Sequence, residues 1–331
     1  MSDQALTKVA EPVPTRRRLP SFNPIYLVLL VLIAAIAVKN PQFIEPIQFM
    51  NFLKRGAPLA ILSAGQVFVL VAGGFDLSVG SLITLTVIGA SMLSNNDPNA
   101  TWWVIALLFL LGVLVGLING LVVVFLRVPS LIATLGMMIT LTGIALFWSG
   151  GAPKGYLTDS FRVFGRYNIP GVPGLGILPV ALIVLVVVIA LLWWLLHRTN
   201  LGRLLLAIGD NPRASQLAGV PIERVRIIAF VASALSGTVA GILLGGFSGV
   251  SPDAGNGYEL QAITAAVLGG AQLLGGRGSV PATVAGAFTL TAIFTLLNFV
   301  GLPNPLRSAV QGVILIGAVA LAMYRRKRTG K

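Results

Sequence analysis

The sequence predicts an all-α polytopic membrane protein with about ten transmembrane helices, some of them short or broken, and three observations carry that expectation. Hydrophobic residues make up 56% of the 331 and charged residues only 10%. The mean hydropathy is +0.91. Apolar runs recur along the whole chain, at 25–38, 56–73, 79–94, 102–126, 130–149, 177–196, 227–247, 259–274, 280–299 and 306–324. A bilayer core takes about 20 apolar residues per helical span, so little sequence remains for a soluble domain. The organisation that follows is a basic tail at 1–24, a transmembrane body at 25–324 and a second basic tail at 325–331.

Charge sets the expected orientation. The formal net charge is +13, and the basic residues gather in the tails and in alternate connections. With both tails in the cytoplasm an even number of spans is required, and Arg127, the segment 197–226 and Arg277 then lie on the same side as the tails. That side holds 16 of the 23 Lys and Arg, the bias that orients membrane proteins. Lys54 and Arg55 fit least well, and an interfacial or re-entrant segment near 40–56 would explain them. The first apolar run is followed by no small-residue cleavage site, so no removable signal peptide is expected.

Glycine is the second signal, with 38 residues and pairs at 73–74, 245–246, 269–270 and 275–276. Small residues let helices approach closely in lipid. Glycine-interrupted short spans also mark broken helices, tolerated only where they line protein or water. The stretch VAGGFDLSVGS at 71–81 and VLGGAQLLGGRGS at 267–279 each pair glycines with a short link and a Gly/Ser helix start, which suggests a two-fold internal repeat.

Asp76 stands in the first of these stretches, in a chain with ten acidic residues. A carboxyl just before the run 79–94 can accept from the open N–H groups of a restarting helix, as can Ser78. Gly74 and Gly80 let chain and solute pass closely. Among the polar residues within or beside spans, Gln66, Gln261 and Asn298 join Gly74, Asp76, Ser78 and Gly80 as candidates for a solute path or a helix break. Asn119, Gln272 and Gln311 complete that polar set. Each also has the ordinary reading of a hydrogen bond between helices.

Chemistry is narrowed by what the sequence lacks. There is no cysteine and one histidine, His197, so thiolate sites and multi-histidine metal clusters are excluded. No GxxxxGK[ST] phosphate loop occurs, and the glycine-rich GGRGS at 275–279 lacks its lysine. No catalytic set is available, so no enzyme is expected and no cofactor is assigned to this chain. The energy for any transport must come from a partner or from an ion gradient, and an ion-coupled carrier would use a carboxyl such as Asp76.

The segment 197–226 carries helix punctuation at its centre. Asp210 or Asn211 caps, Pro212 takes the first helical position, Arg213, Ala214, Ser215, Gln216, Leu217 and Ala218 follow, and Gly219 stops the helix. Two turns are too short to stand alone, so this helix either lies on the membrane surface or docks into a partner. The outer stretches 150–176 and 247–258, with Tyr156, Phe161, Tyr167 and Tyr258, are the expected receptor-facing surface.

Four motifs taken together, GGFDLSVGS (73–81), PSLIATLGMM (129–138), TNLGRLLLAIGDNPRASQLAGV (199–220) and GYELQAITAAVLGG (257–270), resemble the permease subunits of bacterial ribose-type monosaccharide ABC importers. The resemblance runs from about residue 50 to 323. It implies a sugar-translocating subunit of the inner membrane, a second permease copy, alike or different, and an extracytoplasmic sugar-binding protein. ATP and Mg would be used by a partner ABC ATPase, and residues 210–219 would form the helix that meets it. A permease of the same superfamily for branched-chain amino acids or a sugar-derived signal, and an ion-coupled secondary transporter, remain the alternatives.

Overall fold

The computed structural model describes residues 23–303 and, beyond them, 306, 309–310, 312–314, 316–317 and 320. The tail at 325–331, most of the tail at 1–24, Gln311 and much of the tenth apolar run therefore lie outside the described residues. Within them the chain is helical apart from one small hairpin. The helices are α1 (Ile25–Lys39), α2 (Pro46–Val71), α3 (Ser78–Ser94), α4 (Thr101–Phe125), α5 (Ser130–Ser149), α6 (Asp159–Arg166), α7 (Val180–Arg198), α8 (Asn200–Asp210), α9 (Pro212–Leu217), α10 (Ile222–Ser248), α11 (Tyr258–Leu268) and α12 (Val280–Phe299). Strands β1 (Asn168–Val172) and β2 (Gly176–Pro179) pair antiparallel in the loop before α7.

Six helices, α2, α4, α5, α7, α10 and α12, are long and apolar enough to cross a membrane. α1 and α3 are apolar but have 15 and 17 residues. α11 has only 11 residues, about 16 Å of helix, where the sequence suggested a run from 259 to 274. The difference comes from Gly269 and Gly270. The chain turns there, with Gly270 at φ +91°, and residues up to Ser279 form a link.

Two central helices organise the bundle. α2 and α10, with 26 and 27 residues, pack along each other, and α10 also meets α3, α4 and α6. Close approach requires small residues on the facing sides. In GVLVGLING, Gly112, Gly116 and Gly120 fall four apart and turn one face of α4 toward α10. A Cβ at Gly116 would stand 2.6 Å from Val231 Cα, and one at Gly120 would stand 2.9 Å from Ile227 Cα. Gly65 of α2 lies against the Ser236 side chain in the same way.

The interfacial segment expected near 40–56 is mostly helix. A short 3-10 turn at Pro41–Ile44 is capped by Asn40, whose Oδ1 accepts from Gln42 N at 3.2 Å, and α2 then starts at Pro46. Phe43, Phe52 and Phe288 form a chain of rings with centroids 5.3 and 6.0 Å apart that anchors this end of α2. Lys54, itself buried, is accommodated by acceptors from the segment before α7. Its Nζ donates to Arg166 O at 2.7 Å and Asn168 Oδ1 at 3.0 Å, and it lies 5.7 Å from the centroid of the Phe247 ring. The hairpin end of the bundle is thereby tied to α2.

The loops at that end are only partly a surface. Tyr156 and Tyr167 are exposed, whereas Phe161 is fully buried against α3, α4 and α10 side chains. The loop 249–257 dips into the bundle, where Gly255 N donates to Thr84 Oγ1 at 3.0 Å.

The α4–α10 seam yields a stability prediction. Gly116→Ala has backbone, not a flexible side chain, in its way and is expected to destabilise the purified protein by about 1–3 kcal/mol. Gly89→Ala, whose Cβ would sit at an ordinary 3.4 Å from Leu108, is expected to be neutral or stabilising. Thermal unfolding in detergent distinguishes them; equal melting temperatures would contradict the packing argument.

Candidate functional site

Between α2 and α3 the backbone leaves the helical path for six residues, Ala72 to Leu77, inside the bundle. Away from water every N–H and C=O freed by such a break needs a partner from the protein itself. Gly73 N and Gly74 N turn back to Leu70 O and Val69 O, both at 2.9 Å. α5 supplies the next partners. Ser130 Oγ accepts from Phe75 N at 3.0 Å, and Thr134 Oγ1 accepts from Leu77 N at 3.1 Å. Serine and threonine four residues apart on α5 thus stand one above the other along the break.

Asp76 closes the break from within. Its Oδ1 accepts from Ser78 N at 3.1 Å and from Ser78 Oγ at 2.6 Å, so the carboxyl occupies the first open donor of α3. Asn119 of α4 donates to Ser78 Oγ at 2.8 Å. Gln66 of α2 donates through Nε2 to Asp76 O at 3.2 Å and accepts through Oε1 from Ser233 Oγ of α10, also at 3.2 Å. Asp76, Ser78, Gln66 and Ser233 are each fully buried. The Ser233 hydroxyl lies close to the Asp76 carboxyl too, but its hydrogen goes to Gln66, and Asp76 Oδ2 is left without a hydrogen-bond partner.

The other candidate residues divide in space. Gly74 sits under Ser130, where a Cβ would lie 3.4 Å from the Ser130 hydroxyl. Gly80, in the first turn of α3, receives the inward loop. A Cβ there would lie 2.8 Å from Gly255 O and would run into the Glu259 carboxyl of α11. The starts of α3 and α11 are therefore in backbone contact. Gln261 follows Glu259 on α11 and is half-buried. Asn298, exposed in the last turn of α12, is apart from this cluster, and Gln272 lies in the α11–α12 link.

The segment 210–219 forms α9, and Asn211 rather than Asp210 is its cap, accepting from Ala214 N at 3.0 Å. Pro212 takes the first position, and Gly219 ends the helix at φ +76°. Leu217 is 85% exposed although it is the helix's one large apolar side chain. Beside α9 opens a cleft of about 830 Å³. Gly73 and Gly74 of the break and Ser130 of α5 line part of it, and Arg127, Arg213, Arg226 and Glu223 are among its other lining residues. The break and the exposed helix thus share one cavity.

Ser130, Thr134 and Ser233 were not singled out in the sequence reading. The first two sit in PSLIATLGMM, and their i, i+4 spacing after a proline is a usable signal. Ser233 has none, because a serine in an apolar helix ordinarily bonds back to its own turn.

Comparison with known proteins places this geometry. A family described as "Branched-chain amino acid transport system / permease component" matches residues 48–319, and the chain belongs to that family. It is 36% identical over 295 residues to the ribose import permease protein RbsC of Escherichia coli strain K12, covering 88% of this chain and 91% of that protein. It is 36% identical over 305 residues to the L-arabinose transport system permease protein AraH of the same strain, covering 91% and 90%. Against the autoinducer 2 import system permease protein LsrC of Enterobacter sp. strain 638 it is 35% identical over 300 residues, covering 89% and 84%. No solved structure matches the chain significantly.

The hydrogen bonds around Asp76 make a prediction. Asp76→Asn keeps the Oδ1 acceptor, and its Nδ2 can donate to Ser233 Oγ, so folding and transport are expected to survive. Asp76→Ala opens the Ser78 donors and is expected to cost about 1–2 kcal/mol of stability and to reduce transport. Uptake by the two variants at matched expression is the check, and equal loss in both would refute the capping role.

Proposed function

We propose that this chain is the membrane-spanning permease subunit of an ATP-driven importer of the ABC type, carrying a monosaccharide delivered by an extracytoplasmic binding protein. The observation that carries the reading is the similarity, over about nine-tenths of the chain, to permeases named for ribose and L-arabinose. The family description names branched-chain amino acids, and LsrC is named for autoinducer 2 import, so a sugar-derived signal is the second reading.

Hydrolysis of ATP with Mg belongs in this scheme to separate ATPase subunits, and this chain binds no cofactor and is no enzyme. Residues 210–219 are the contact to the ATPase, because α9 is short, projects Leu217 outward and is held by its own cap. A helix of six residues with an exposed leucine gains most of its stability from what it packs against. The α9 end is then cytoplasmic, together with both tails, in the inner membrane of a bacterium. The short helices α1, α3 and α11, with their links and the run at 306–324, complete ten spans.

A second permease copy covers α5. That helix is the least buried of the six long ones, with 17% of its most apolar window buried, yet its mean hydropathy of 2.0 is below the 2.8 and 2.9 of α4 and α7. Gly136 and Gly143 on it have nothing within 4 Å of a Cβ. Small residues on an open helix face suit another helix better than lipid. A neutral sugar passing there needs hydroxyl and amide partners rather than a fixed charge.

The test is uptake by proteoliposomes holding the permease, its ATPase and its binding protein, with ribose, arabinose, autoinducer 2 and leucine in parallel. ATP-dependent uptake of a pentose is expected; uptake without the ATPase would sink the reading in favour of a secondary carrier. Arg213→Glu is expected to leave membrane insertion intact while cutting uptake and ATPase co-purification by about tenfold or more. Normal uptake in that variant would remove α9 from the ATPase contact.

A further inference from the structure

Three segments far apart in sequence meet backbone to backbone just before α9. They are the start of the α2–α3 break, the last turn of α8 and the end of the α11–α12 link. Gly276 N donates to Val71 O at 2.9 Å. A methyl on Gly209 of α8 would run into that same Val71 oxygen and into the Gly276 nitrogen. A Cβ at Gly275 would stand 2.8 Å from Gly209 Cα and 3.0 Å from Gly73 N, and one at Gly276 would stand 3.1 Å from Asp210 Cα.

Gly73, Gly275 and Gly276 have φ of +79°, +91° and +82°, so their backbone conformation by itself favours glycine. Gly209 is different. It lies in regular helix with no positive φ, where glycine is worse than alanine by about 1 kcal/mol. Only the approach of Val71 and Gly276 gives its missing side chain a physical reason. Two residues later Asn211 caps α9, so the ATPase-facing helix hangs directly from this junction.

Of the three arms, α8 leads into α9, and the other two lead to the breaks at α2–α3 and α11–α12. Val71 and Gly73 open the link that ends at Asp76 and Ser78. Gly275 and Gly276 belong to the link from α11, whose first turn brings Glu259 against Gly80. Side chains can absorb a displacement by changing rotamer, but backbone in contact with backbone cannot. We infer that Gly209, Gly275, Gly276 and Val71 form a backbone clasp through which α9 and both helix breaks move as one body. Gly209 is the positioning residue of that clasp. The inference rests on the reading that α9 meets the ATPase.

The experiment compares parent and Gly209→Ala complexes in proteoliposomes, measuring ATP hydrolysed and ribose taken up, or the panel sugar that the parent carries. Gly209→Ala is expected to lower sugar moved per ATP about fivefold or more while hydrolysis by the assembled complex persists. An unchanged ratio, with uptake and hydrolysis intact or falling together, overturns the clasp, since a purely structural role lowers both alike. A second arm does not depend on that variant folding. The chain has no cysteine, and a Cβ at Gly276 would lie 3.4 Å from Asp210 Cβ, close to the roughly 3.5–4.5 Å that a disulfide spans. Asp210→Cys/Gly276→Cys is compared only with its own reduced form, and oxidation is expected to leave uptake at the level of that reduced form, because the joined segments travel together. Uptake lost on oxidation and restored by reductant means that they separate, and the inference falls. An error in the α9 reading shows separately, as normal uptake and ATPase binding in Arg213→Glu.

Discussion

The break between α2 and α3 sets the terms for the rest of the bundle, because six residues of non-helical backbone, with Asp76 fully buried among them, have to be satisfied inside a helical membrane protein. The side-chain partners of that backbone are Gln66 on α2 and Ser130 and Thr134 on α5, and Asn119 on α4 and Ser233 on α10 extend the network through Ser78 Oγ and Gln66 Oε1. Losing one such partner exposes a buried polar group, at a cost of about 1–3 kcal/mol, so the helices that supply them are fixed in register and rotation. This explains why polar residues in α2 and α4 face inward although neither helix lacks apolar ones. It also explains the glycine faces. Gly112, Gly116 and Gly120 bring α4 close to α10 at the same level of the bundle at which Asn119 reaches Ser78.

Burial and hydropathy run in opposite senses among most of these helices, and that limits what hydropathy reveals. α2 is the least apolar of the six long helices, at 1.2, and has 94% of its most apolar window buried; α7, at 2.9, has 28%. In a soluble protein the order would be reversed. Here the outermost helices meet lipid and carry the largest apolar side chains, while the central one meets other helices and carries Gly, Ala, Ser and Gln. The beginning of α2 was hard to read for this reason. Lys54 and Arg55 look like the end of a span, but Lys54 is neutralised in packing terms by Arg166 O and Asn168 Oδ1, which are more than a hundred residues away. No local pattern contains that information.

What was legible in the sequence was therefore what short-range chemistry decides. Asp76, Ser78 and the glycine pair mark a helix restart by residue type alone, and Asn211, Pro212 and Gly219 delimit α9 by their cap, first-turn and stop chemistry. The four motifs together carried the family. The apolar run 259–274 puts the end of α11 too late, but VLGGAQLLGGRGS marks a glycine pair and a helix restart, and the turn at Gly270 ends the helix there. The inward loop 249–257 was missed for a related reason. SPDAGNGY has the composition of an exposed turn, yet its Gly255 is buried against Gly80 and Thr84.

The α2–α3 break and the junction beside α9 differ in how they are held. From Phe75 to Ser78 the break is held by the side chains of Ser130, Thr134, Gln66 and Asp76. The junction beside α9 is held by main chain, with one hydrogen bond from Gly276 to Val71 and glycines on every side. If α9 meets an ATPase as proposed, a movement entering there meets the main-chain junction before the side-chain network. On that reading a soft link in place of the junction would dissipate the displacement before it reached Asp76.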